Sequence, residues 1–270
     1  MSRIHPSAIV EDGAVLGADV EVGPFCIVGR QARVGDGVRL LSHVVISGDT
    51  ELGSRSVVHP HAVLGGSAQF RAETGEVGAL RIGSNNVIRE HVTMNRGTVK
   101  GGGITSVGDN GYFMAYSHIG HDCHVGNNAT FANCVALAGH VTVADNVNIG
   151  GLSAVLQFVR IGHDAFVGGA SGLPTDVIPY GIVQGSRAYL LGLNLIGLKR
   201  KGIPRERIHA LRGAFRQMFY GEGHLGDRVS AAEEKFGSYA EVADVIAFMR
   251  TKSKRQICVP EKGSAESSDE

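Results

Sequence analysis

Val107-Gly-Asp-Asn-Gly-Tyr-Phe113-Met-Ala-Tyr-Ser-His-Ile119-Gly-His-Asp-Cys-His-Val125 sets a large apolar residue at every sixth position. Six is a multiple of neither 3.6 nor 3.5, so no helix holds these positions on one face. A chain that turns a corner every six residues does. Three hexads then close one triangular coil, and stacked coils bury a continuous aliphatic ladder. The beat runs back through Val10, Leu16, Val22, Val28, Val34, Leu40, Ile46, Leu52, Val58, Leu64, Ile82, Ile88 and Met94, and forward through Phe131, Leu137, Val143, Ile149, Val155, Ile161 and Val167 to Leu173. A small or β-branched residue often follows four places on, as in Val34-Gly-Asp-Gly-Val38 and Val125-Gly-Asn-Asn-Ala129.

Composition agrees with a solenoid. The 270 residues hold 39 glycines, as repeated tight corners demand, and no tryptophan, so the core is a thin aliphatic stack. Lys plus Arg equals Asp plus Glu at 26 each, so net charge points to no partner. The cysteines Cys26, Cys123, Cys134 and Cys258 form no C-x-x-C pair, and Cys123 and Cys134 are expected to be packing thiols. The first residues do not read as a signal peptide, and no apolar run approaches the ~18 residues of a membrane span. A soluble cytoplasmic protein is the expectation.

Three regions follow: a solenoid over 1–186, a helical domain over 187–259 and a Ser/Glu-rich tail over 260–270 expected to be disordered. Two polar inserts break the beat, near 67–81 and 98–106, and loops thrown from a regular coil tend to share one side and carry function. Helical spacing is read over Leu190–Lys201, Arg205–Tyr220, Asp227–Phe236 and Tyr239–Thr251, four helices capping one end. Between Lys199 and Arg216 seven basic residues face one acidic residue, Glu206. Such a patch suits phosphates or an acidic protein; no nucleic-acid motif accompanies it.

Three histidines, His118, His121 and His124, fall within seven residues. Metal is the first thought, but His118 and His124 hold the same place in successive hexads and so project from different faces. With about eighteen residues per coil, His121, Gly139-His140 and Gln157 instead form a ladder on one face. An imidazole, a glycine amide and a carboxamide side by side suit acyl transfer. The histidine would take a hydroxyl proton, Asp122 would hold it, and the Gly139 N–H would stabilise the oxyanion. No phosphate loop or nucleophile elbow competes with this reading.

His118-Ile-Gly-His121-Asp122-Cys123, Leu137-Ala-Gly-His140-Val and Val155-Leu-Gln157-Phe158 resemble the UDP-N-acetylglucosamine O-acyltransferases that begin lipid A synthesis. Gly23-Pro-Phe-Cys-Ile-Val-Gly29, Arg96-Gly-Thr-Val-Lys-Gly-Gly-Gly103 and Asn194-Leu-Ile-Gly-Leu-Lys199-Arg200 carry the same resemblance. It implies an all-β solenoid plus α: a left-handed parallel β-helix of hexapeptide repeats with a C-terminal helical domain. A homotrimer is implied, with sites between neighbouring subunits, no cofactor and no metal. A 3-hydroxyacyl chain would pass from acyl carrier protein to a UDP-amino sugar. His121, Asp122 and Gly139 take the catalytic places; His118, His140, Gln157, Asn194, Arg200, Gln69 and Arg71 those around the substrate. Phe166, Gly169 and Arg187 stand where the family limits acyl length. The basic stretch would receive the acidic carrier.

The chain departs from the family's usual pattern in three places. The first insert has Gln69-Phe70-Arg71 in place of an Asp-Leu-Lys motif, Leu156 stands where histidine is common, and Ile196 where a glutamate is. These changes leave open a 3-amino analogue of UDP-N-acetylglucosamine as acceptor, giving an amide. A coenzyme-A-dependent acetyltransferase, a zinc hydratase and a purely structural solenoid are the other readings.

Overall fold

A computed structural model describes residues 2–70 and 78–261. Three parallel sheets form the faces of a prism, and strands mostly two residues long climb from sheet to sheet with each corner. The first sheet starts at Arg3–Ile4, the second at Ile9–Val10 and the third at Val15–Leu16. Each strand pairs with the one a coil later, as Arg3 with Glu21, Ile9 with Ile27 and Val15 with Arg33. The hexad aliphatics point inward, and Leu40, Ile46, Leu64, Ile88, Met94, Ile119 and Leu137 are at most 1% exposed. Burying each contributes about 1.5–3 kcal/mol. Where aromatics enter the ladder they meet edge to face: Phe113 and Phe131 lie 5.2 Å apart.

Corners are turned by residues in the left-handed region, among them Asp122 (φ 58), His140 (φ 63) and Phe158 (φ 67). A side chain there is strained by roughly 1–3 kcal/mol. Asp122 and His140 stand one coil apart at the corner that leads from the second sheet to the third, and Phe158 one coil further.

Both inserts leave this same corner. The first lies between Val63–Gly66 of the second sheet and Ala79–Ile82 of the third, so Val57 pairs with Val87 rather than with a residue eighteen on. The second lies between Thr93–Asn95 and Ile104–Val107 and contains a short 3-10 turn, Val99–Gly101. Ile104–Ser106, expected in the insert, instead continue the third sheet opposite Ala79–Arg81.

Past Leu173 the sheet does not stop at residue 186. Gly181–Gln184 and Tyr189–Leu193 form an antiparallel hairpin on the first sheet, so the apolar run from Leu190 opens as strand, not helix. A bulge breaks its alternation: Leu190 pairs with Val183 and Gly192 with Ile182, which leaves Leu191 exposed and lets Leu190 and Leu193, three residues apart, both be buried. The helices are α1 (Leu195–Arg200), α2 (Arg205–Tyr220), α3 (Leu225–Phe236) and α4 (Ala240–Arg250). Leu211, Ala214, Phe215 and Met218 of α2 join Val229, Ala232, Val242 and Val245 in a core continuous with the coil's end. Cys123 and Cys258 are buried, but Cys134 is exposed and is no packing thiol, because the corner turns its side chain outward. Arg71 and residues 262–270 of the expected tail lie outside the described residues. No helix among the described residues is long and apolar enough to cross a membrane.

Candidate active site

Gly120, His121, Asp122 and Cys123 turn the chain from His118–Ile119 on the second sheet to His124–Val125 on the third. Cys123 points inward, its thiol pushed up to about 12 by burial. Asp122 is fully enclosed, and its carboxylate is the hub of the corner. One oxygen accepts the Thr98 backbone N–H at 2.8 Å; the other accepts the Thr98 hydroxyl at 2.7 Å and lies 2.7 Å from His121 Nδ1. Thr105 Oγ1 accepts the Asp122 N–H at 2.8 Å. Burial pushes the Asp122 carboxyl up, but the hydrogen bonds from His121 and Thr98 outweigh it and leave the group below the usual carboxylate range. An ionised Asp122 favours the tautomer with the proton on His121 Nδ1, which leaves the Nε2 lone pair to accept a hydrogen bond.

Gly139 sits one coil above. Its backbone is pinned by His140 N–H to His121 O at 2.9 Å and Phe158 N–H to Gly139 O at 3.3 Å. A Cβ at Gly139 would stand 2.5 Å from His121 Cε1 and 2.6 Å from Nε2. Only glycine leaves room for the imidazole, and it brings the amide beside the ring. Among the described residues the Gly139 N–H has no backbone acceptor, so it is available to a ligand.

A groove of about 530 Å³ opens on this corner, lined by His118, His121, Gly139 and Gln157, with Gln69 from the first insert. Asn95, Leu156 and Arg255 join them. Phe70 lies over His121 with ring centres 5.8 Å apart. His118 Nδ1 is 2.7 Å from Thr93 Oγ1, and burial, then the neighbouring His121, lowers its pKa, which keeps it neutral at pH 7. His140 stands behind the dyad, edge-on to His121 and stacked on Phe158 at 4.6 Å. Burial lowers its pKa too, against the pull of Asp122.

The structure therefore gathers His121, Asp122, Gly139, His118, Gln157 and Gln69, with His140 in contact. It does not bring Asn194, Arg200, Phe166, Gly169 or Arg187 to this groove. Asn194 caps α1, accepting the Gly197 N–H at 2.9 Å and donating to Asp164 O at 2.9 Å. Arg200 ends α1, Phe166 lies 42% exposed on the first sheet, Gly169 stands at the corner between the first and second sheets, and Arg187 is in the hairpin turn. The sequence reading missed Thr98, Thr105, Asn95 and Arg255. Only the common exit corner of the inserts could have suggested Thr98.

His118 and His124 occupy different sheets, so the three-histidine site that a zinc hydratase needs is not assembled. His121, Asp122 and His140 do bring ligand-type atoms within 4.8 Å of one another. Asp122, however, already serves Thr98 and His121, which fits a hydrogen-bonded dyad better than a metal ligand set.

A hexapeptide coil carrying an aspartate-held imidazole beside a glycine amide defines a hexapeptide-repeat acyltransferase. Residues 176–258 match the family model described as "Udp N-acetylglucosamine O-acyltransferase; Domain 2". The chain is 51% identical over 259 residues to the acyl-[acyl-carrier-protein]–UDP-N-acetylglucosamine O-acyltransferase of Bartonella henselae, spanning 96% of this chain and 94% of that protein. It is 45% identical over 262 residues to the enzyme of the same name from Sinorhizobium fredii, spanning 97% of each. The structure of LpxA from Acinetobacter baumannii superposes with a TM-score of 0.91 at 36% identity, over 94% of this chain and 99% of that one. The UDP-N-acetylglucosamine acyltransferase from Campylobacter jejuni gives 0.90 at 37% identity, over 96% and 100%. The chain belongs to the acyl-[acyl-carrier-protein]–UDP-N-acetylglucosamine O-acyltransferase family, and the triangular coil that the hexads predict is the left-handed parallel β-helix that the resemblance implies.

Proposed function

We propose that the protein transfers a 3-hydroxyacyl group from acyl carrier protein to the 3-position of UDP-N-acetylglucosamine, the first step of lipid A synthesis. The observation that carries this reading is the Asp122–His121–Gly139 arrangement in an open groove. His121 Nε2 takes the proton of the acceptor hydroxyl as its oxygen attacks the thioester carbonyl. The Gly139 N–H donates to the carbonyl oxygen as it becomes negative. Asp122 fixes the tautomer and stabilises the imidazolium. Collapse expels the carrier thiolate, which recovers the proton from Nε2, leaving an ester and a free thiol. Neutral His118 and the amides of Gln69, Asn95 and Gln157 offer hydrogen bonds to the sugar.

The carrier is an acidic protein on this reading, and Lys199, Arg205, His209 and Arg212 rim a second cavity of about 570 Å³ floored by Leu195, Ile203 and Ile208. A cationic rim around an apolar floor suits an acidic helix. A homotrimer accounts for the split of the expected site residues: a neighbouring copy would bring Asn194, Arg200, Phe166, Gly169 and Arg187 to the groove of this one. If so, His121→Ala and Arg200→Ala chains, each inactive alone, recover about one quarter of wild-type turnover when co-assembled at equal ratio, as a heterologous interface requires. No recovery would sink the shared site.

The principal test is product mass after incubation with a series of 3-hydroxyacyl carrier thioesters. UDP-N-acetylglucosamine should give the ester, and His121→Ala should lose ~10²–10⁴-fold in turnover. Turnover of acetyl-CoA but not of the carrier thioester would overturn the reading. The 3-amino acceptor belongs in the same assay. Among its described lining residues the groove has no carboxylate and exposes Leu156, surroundings that favour a neutral, nucleophilic amine over an ammonium.

A further inference from the structure

After α4 the chain does not leave the molecule but returns to the coil. Gln256 O accepts the Asp176 N–H at 2.8 Å, the Cys258 N–H donates to Asp176 O at 2.7 Å, and Cys258 is 3% exposed. This docking lays Lys254 and Arg255 along the rim of the groove. Arg255 Nε donates to Gln157 O at 2.7 Å, and Lys254 Nζ sits 3.9 Å from the centre of the Phe158 ring. Arg160, Arg207 and Arg250 each meet a carboxylate; Arg255 meets none among the described residues. It is the one side chain with a fixed charge among the described residues lining the groove.

We infer that Arg255 is a phosphate-binding residue of this groove, set by the returning C-terminal segment to hold the diphosphate of the sugar nucleotide. With Nε tied to Gln157, the two Nη groups are left to form the paired donors that phosphate oxygens accept. The inference rests on the proposed reaction, in which both substrates carry phosphate esters. Position decides between them. Gln157 lies two coils above His121, about 10 Å along the groove at one strand spacing per coil. A glycosyl diphosphate carries its phosphates just across one pyranose ring from the 3-oxygen. The phosphate of a phosphopantetheine arm is separated from its thioester by the whole pantetheine chain and would reach further.

The test compares wild type, Arg255→Ala and Arg255→Lys. Arg255→Ala should raise KM for the UDP-sugar ~10–100-fold, the worth of a lost charged hydrogen bond, with kcat and the KM for acyl carrier little changed. Arg255→Lys, keeping the charge but not the fork, should fall between. Calorimetry with UDP and with uridine gives a readout free of turnover: wild type should prefer UDP, and Arg255→Ala should lose that preference. Equal UDP binding by wild type and Arg255→Ala would overturn the inference while leaving the reaction intact. A KM rise confined to the carrier would move the residue to the other phosphate and overturn it too. Lost activity with a lowered Tm and unchanged UDP preference would reduce Arg255 to a staple of the segment. Failure of UDP to bind wild type at all would instead count against the proposed function.

Discussion

Gly139→Ala tests the construction of the site most directly, because it adds one methyl group and removes no polar atom. The new Cβ would stand 2.5 Å from His121 Cε1, 2.6 Å from Nε2 and 3.1 Å from Nδ1, where ordinary contact begins near 3.4 Å. The backbone cannot yield easily, since hydrogen bonds to His121 and from Phe158 fix it between coils. The ring must therefore withdraw, and the 2.7 Å bond to Asp122 stretches with it. Overpacking costs about 1–3 kcal/mol, and the loss of a hydrogen bond to a charged partner about 1.5–3 kcal/mol. A general base displaced by about 1 Å forfeits ~10²-fold in rate. Steady-state kcat on the acyl carrier thioester should fall by that factor. Thermal unfolding should shift down by ~2–4 °C per kcal/mol lost. Gly226→Ala in α3 is the control: nothing lies within 4 Å of that Cβ, so activity should hold and stability rise by up to ~1 kcal/mol. Wild-type turnover by Gly139→Ala would refute the contact between ring and glycine as the basis of the site.

Asp122→Asn keeps the shape but replaces an acceptor-only group with one that can donate to Nδ1, which puts the proton on Nε2. Turnover should fall ~10²–10⁴-fold with the fold retained, measured by kcat beside circular dichroism. Thr98→Val removes the hydroxyl that helps hold Asp122 below the ordinary carboxylate range, so the Asp122 pKa should rise. A carboxyl with a depressed folded pKa contributes stability that is fully present above the unfolded value and lost as pH falls through the folded one. Thr98→Val should therefore lose about 1.5–3 kcal/mol at neutral pH, with the difference from wild type closing in acid. Denaturant titrations at several pH values check it, and a pH-independent difference would contradict the account.

The sequence carried the coil because its evidence is periodic. Outside the two inserts, the buried ladder from Val22 to Leu173 follows the six-residue step, and the unbroken register over 107–173 stacks His121 under Gly139 and Gln157. What periodicity cannot express is contact that crosses it. Thr98 reaches Asp122 from an insert of unrelated length, and Arg255 reaches Gln157 from 98 residues away. The helical domain was misread at its entrance because Leu190-Leu-Gly-Leu193 satisfies a buried strand as well as a helix. Cys134 was misread because a residue beside an inward position still faces outward when the corner falls on it. Gly139 was recognised as an amide donor, but the reason for glycine there, the imidazole beneath it, is a fact of three dimensions.

One consequence of the corner that launches both inserts concerns how such an enzyme can change. Adding residues inside a hexad would turn the aliphatic ladder outward along every later rung. A detour at the bend leaves the rungs aligned, as the resumed pairing of Ala79 with Asp49 and Ile104 records. Novelty is thus channelled to the one edge where the dyad waits, and a lineage can lengthen, shorten or rewrite those excursions to court new sugars without disturbing the pillar that supports them.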